Sequence, residues 1–123
     1  MNDPEFVSFI SVEEGDDLIV SFFVMDPDDP AEGRSLILMR NPRLERLLPE
    51  ADWGVSVSDE GVLTEGDFNL LERIRLGEST AEIVSREYVR TLELRKVEAS
   101  EIEEAREVLK KMNLANRFQL EFS

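Results

Sequence analysis

Two apolar runs near the start of the chain, Glu5 to Val12 and Leu18 to Met25, alternate with a period of two and carry bulky residues on both sides of that alternation. In the first, Phe6, Ser8, Ile10 and Val12 fall on one side and Val7, Phe9 and Ser11 on the other; the second reads Leu-Ile-Val-Ser-Phe-Phe-Val-Met. Such β-branched and aromatic content favours strands. The acidic, Gly-containing link Glu13 to Asp17 makes the pair a hairpin. Strands apolar on both faces need cover on both faces. The fold must therefore supply a second layer, close into a barrel, or offer one face to a partner.

The segments that follow extend this pattern. Asp26-Pro27-Asp28-Asp29-Pro30 cannot continue a ladder, because the two prolines lack donors and the Asp side chains favour turns. A third strand spans Ser35 to Arg40, Asn41-Pro42 stops it, and Arg43 to Leu48 is long enough for one or two helical turns. Trp53 to Ser58 alternates apolar and small residues as a half-solvated fourth strand.

Residues 67–84 read poorly as a helix, because their apolar positions scatter around the axis. Folded about Gly77-Glu78-Ser79-Thr80, they set Leu76 against Ala81, Ile74 against Ile83 and Arg75 against Glu82, which favours a hairpin. Val89 to Val97 reads as a further strand. Ser100 to Met112 reads as the main helix, with a Ser100/Glu103 capping box and the stripe Ile102, Ala105, Val108, Leu109 and Met112. The tail from Leu114 to Phe122 alternates as a last strand, with Leu114, Phe118, Leu120 and Phe122 inside. The predicted architecture is one α+β domain over residues 1–123: an antiparallel, meander-rich sheet or open barrel, packed by one main C-terminal helix over about 100–113 and ending in a strand.

The chain has no His and no Cys, which removes Ser-His-Asp and Cys-His catalysis, disulfides, and imidazole or thiolate metal sites. The spacing of Gly61 and Gly66 resembles a phosphate loop, but Asp67 and Phe68 stand where Lys and Ser or Thr are needed. An EF-hand counted from Asp26 fails at Ala31 and Ile37, leaving only an irregular calcium site at Asp26, Asp28 and Asp29 as an alternative. Adjacent carboxylates such as Asp28 with Asp29 are solvated turn residues rather than an acid-base pair. No catalytic residue, cofactor or metal is assigned. With 28 acids against 14 bases, the formal charge of −14 opposes nucleic-acid and anionic-membrane binding. No apolar run has the length of a signal or membrane segment, so a cytoplasmic protein is expected.

The acids are unevenly placed. Residues 1–32 hold ten acids and no base, residues 33–49 carry Arg34, Arg40, Arg43 and Arg46 against Glu45, and residues 50–72 hold seven acids and no base. In an up-and-down meander one end collects residues 13–17 and 41–52. The opposite end collects Asp3, Glu5, Asp26, Asp28, Asp29, Glu32, Asp59, Glu60, Glu65 and Asp67, relieved only by Arg34. Asp26, Asp28, Asp29, Glu32, Asp59 and Glu60 are the candidate partner-binding residues of this pole.

The run Val12 to Val20, the Asp26-Pro27-Asp28-Asp29-Pro30 turn, the strand Leu36 to Arg40 and the helix Glu103 to Met112 together resemble acidic, β-rich immunity proteins of bacterial polymorphic-toxin systems. The resemblance spans about residues 12–60 and 98–113. It implies a small cytoplasmic protein that neutralises a cognate toxin by binding, without catalysis. The leading expectation is thus a non-enzymatic binder whose acidic pole meets a basic protein. The alternative is a homodimer or larger homo-oligomer, structural or regulatory, assembled through the apolar strands 6–12 and 18–25.

Overall fold

The period-two runs become a meander. In the computed structural model, which describes residues 5–26, 28, 32–60, 69–113 and 116–122, β1 (Glu5–Glu14), β2 (Leu18–Met25), β3 (Gly33–Arg40) and β4 (Ser56–Asp59) pair in sequence order, each antiparallel to the one before. Between β3 and β4 lie the short helix α1 (Pro42–Glu45) and a 3-10 turn at Glu50–Asp52. The second half adds β5 (Leu71–Leu76), β6 (Thr80–Ser85) and β7 (Val89–Glu93), then the helix α2 (Ala99–Met112) and β8 (Gln119–Phe122).

The sheet is mixed and open. Its order is β4-β3-β2-β1-β7-β6-β5-β8. Two joins are parallel rather than antiparallel: Glu5 and Phe6 of β1 pair with Leu92 and Glu93 of β7, and β8 runs beside β5. Parallel joins need long crossovers, so no local pattern announces them. A lone bridge from Ser56 to Leu70 brings the β4 edge to the entry of β5 without forming a ladder. The α+β architecture packed by one C-terminal helix and ending in a strand is therefore observed.

The β5–β6 hairpin has the register expected from its side chains, with Ile74 opposite Ile83, Arg75 opposite Glu82 and Leu76 opposite Ala81. The β7 strand stops at Glu93, short of Val97. The helix stripe Ile102, Ala105, Val108, Leu109 and Met112 is buried in the same core cluster as Val20, Phe22, Leu38, Ile74 and Ile83, with α2 lying against β1, β2 and β8. Its start differs from expectation. The N-cap is Glu98, with no side-chain cap, so the Ser100/Glu103 box does not form. Glu101 instead accepts the Ile10 amide at 2.7 Å, capping a stretch of β1 beyond the point where β7 has ended. The tail buries Phe118 but leaves Phe122 exposed, and Leu114 lies outside the described residues.

A β-bulge between Val7 and Phe9 corrects the reading of β1. The extra residue resets the alternation, so Val7 and Ile10 both point inward while Phe6 and Phe9 are both exposed. Phe9 then stacks on Phe23 across the strand pair, with ring centroids 5.2 Å apart. Phe23 also lies over Gly33, where an added Cβ would sit 2.7 Å from Phe23 Cζ and 2.6 Å from the Val24 carbonyl oxygen. Gly33→Ala is accordingly expected to destabilise the protein by about 1–3 kcal/mol, seen as a lower denaturation midpoint. An unchanged midpoint would show that the β2–β3 contact has room to spare.

The fourth strand begins later than its alternation suggests. Trp53, Gly54 and Val55 precede it: Gly54 adopts φ of 145°, and Trp53 donates its indole N–H to the Leu48 carbonyl at 3.1 Å. Arg117 lies over the Trp53 ring, which ties that side chain into the scaffold.

Candidate binding surface

The meander sorts its loops as the alternation requires. The β1–β2 turn and α1 lie at one end of the strands; Asp26, Asp28, Glu32 and Glu60 lie at the other. Asp26 accepts the Asp28 amide at 2.9 Å, an Asx turn, and its own amide closes the loop on the Glu32 carbonyl. Asp26 and Glu32 line a hollow of about 300 Å³ with Val24, Gly33 and Arg34. Glu60 reaches back to accept the Ser35 amide at 2.5 Å. Asp28, Glu32 and Glu60 are exposed and Asp26 is half-buried. Asp29, like Asp3, Glu65 and Asp67, lies outside the described residues.

Asp59 departs from the expected pole. It is the last residue of β4 rather than part of a turn, it faces inward, and its side chain is 1% exposed. One carboxylate oxygen accepts from Arg34 Nε at 2.6 Å and the other from Arg90 Nε at 3.1 Å. Arg34 also holds Glu5 at 2.6 Å. Burial would lower the Arg34 pKa, but its hydrogen bonds to Asp59 and Glu5 outweigh that and raise it, so the guanidinium stays charged. This network staples β1, β3, β4 and β7 together. It cannot serve as an open carboxylate, and the exposed or half-buried candidates among the described residues reduce to Asp26, Asp28, Glu32 and Glu60. Arg90 had no signal in the sequence: β3, β2 and β1 separate β7 from β4 in the sheet order, and the two meet only because the β4 edge returns to Asn69 and Leu70.

A second feature adjoins this end. The outward positions of the meander are Phe9, Ser11 and Glu13 on β1, Ile19, Ser21, Phe23 and Met25 on β2, Gly33, Ser35, Ile37 and Met39 on β3, and Ser56 and Ser58 on β4. Of these only Glu13, at the strand end opposite Ile19, carries a charge. The outer face of the other half differs sharply, with Arg73 paired to Glu82 and Arg75 to Glu121 across neighbouring strands. That face is laced with charge; the face of the meander is almost free of it.

Among the described residues, no group of three or more carboxylates is arranged to hold a metal ion. No helix among them is long and apolar enough to cross a membrane. Compared with protein families, curated proteins and solved structures, the chain finds no match.

Proposed function

We propose that this is a non-enzymatic binding protein that engages a basic protein partner through the acidic end of its meander. The observation that carries this reading is the gathering of Asp26, Asp28, Glu32 and Glu60 at one strand end, where Asp26 and Glu32 line a hollow whose one cation among the described residues, Arg34, is already committed to Glu5 and Asp59. Four carboxylates with no ion-pair partner among the described residues attract a cationic surface and speed its approach. In its finer form the proposal is immunity: a basic toxin effector is the partner, and binding rather than catalysis silences it.

The test is capture from the source lysate at low and high salt, by the intact protein and by a variant with Asp26→Asn, Asp28→Asn, Glu32→Gln and Glu60→Gln. The expected result is one basic protein, whose association slows about tenfold or more between low and high salt and which the variant loses. Capture that ignores both salt and the substitutions overturns the proposal. The homo-oligomer reading draws on the exposed Phe6 and Phe9, but it must bring together two chains of charge −14.

A further inference from the structure

Resting on the binding function proposed above, we infer that the outer face of β1–β4 is the seat of that same partner. The occupant is a protein surface with an apolar centre flanked by Lys or Arg. Three observations carry this. The first is composition: in a chain with 34% charged residues, four adjacent strands present an outer face of Phe, Ile, Met, Ser and one Gly, with Glu13 at one strand end as its single charge. Such a face is normally wetted by charges, as its counterpart on β5, β6 and β8 is. Phe9 is 46% and Met39 38% exposed, and the Phe9–Phe23 stack presents a rigid aromatic anchor.

The second observation is the bracketing charge. Asp26, Asp28, Glu32 and Glu60 close one strand end, and Glu13 and Asp17 stand at the other. A partner whose basic residues flank an apolar patch satisfies both ends at once. A second copy would instead bring together two chains of charge −14. The third is area. Four strands about 4.8 Å apart and about 20 Å long offer on the order of 400 Å², roughly half of the ~800 Å² per partner in a stable complex. The acidic ends must therefore contribute the remainder, which binds face and rim into one surface.

The experiment uses the full chain and two dansylated peptides of equal charge, one alternating Lys with Leu and one alternating Lys with Ser. If the face is the seat, the Lys–Leu peptide binds at least about tenfold more tightly than the Lys–Ser peptide. Its amide shift perturbations then extend over Ser21, Ile37 and Ser58. Ile37→Lys, or Ser58→Lys at an exposed position that cannot compromise folding, abolishes the difference and leaves Lys–Ser binding in place. Asp26→Asn with Glu32→Gln and Glu60→Gln weakens both peptides. Equal binding of the two peptides, with shifts confined to the acidic end, overturns this inference while sparing the acidic-end reading. Binding of neither peptide at low salt overturns both. A two-chain mass in sedimentation that reverts to one chain with Ile37→Lys also overturns the inference, since a second copy then covers the face.

Discussion

Asp59→Asn is expected to lower the unfolding free energy by about 3–5 kcal/mol, measured as a fall in the urea midpoint at constant slope. The substitution keeps the shape of the side chain and removes only its charge. Arg34 retains Glu5, but Arg90, 22% exposed, loses the carboxylate oxygen it holds at 3.1 Å. The cost arises mostly from leaving a partly desolvated guanidinium facing a neutral amide. A second substitution, Arg90→Met, should therefore recover part of the loss, giving a coupling between the two sites of at least about 1 kcal/mol. A cost below 1 kcal/mol for Asp59→Asn would mean that the carboxylate is solvated and available, and the assignment of this network to the scaffold would fail. Because a domain of this size is stabilised by only about 5–15 kcal/mol in all, the measurement has a wide range in which to decide.

Glu45→Gln is expected to be comparably damaging, again about 3–5 kcal/mol. Arg40 and Glu45 are both buried. The guanidinium meets the carboxylate through Nε at 2.8 Å and Nη2 at 2.9 Å, while Nη1 donates to the carbonyl of Met112, the last residue of α2. The pair thus joins the end of β3, the first helix and the C-terminus of α2, whose last carbonyls have no partner within the helix. Losing the carboxylate leaves a buried cation with only the carbonyl. Hydrogen exchange should then quicken in the last turn of α2, around Leu109 to Met112, more than in β5 or β6. The double replacement Arg40→Met with Glu45→Leu should be less harmful than Glu45→Gln alone, because well-packed apolar side chains avoid the buried charge. Equal damage from both would place the role of the pair in packing rather than in charge.

The contrast between these two networks and the open acidic end shows which parts of the site a linear reading can reach. Asp26, Asp28 and Glu32 follow from their neighbours: Asp-Pro-Asp chemistry makes a turn, and a turn between two apolar strands lies at a sheet end. Asp59 follows the same local logic and is misplaced by it. Next to Glu60 and Gly61 it reads as a turn residue, yet it closes β4 and faces inward because Arg34 and Arg90 wait there. The arginines come from β3 and β7, far apart in the chain. The apolar outer face was half legible. The doubled hydrophobicity of residues 6–12 and 18–25 requires cover on two sides, but which residues lie outside depends on the bulge between Val7 and Phe9.

Short-range periodicity, turn chemistry and opposite-strand complementarity act between residues a few positions apart. The sequence by itself therefore determined the four-strand meander, the β5–β6 register, the buried stripe of α2, and the sorting of acids to one strand end. The tertiary structure alone decided the parallel joins of β1 to β7 and β5 to β8, the side of the sheet on which Phe9 emerges, and the burial of Asp59 and Arg40. Those outcomes depend on which distant strands become neighbours. A charged side chain leaves water only when its counter-charge has been delivered by another part of the chain.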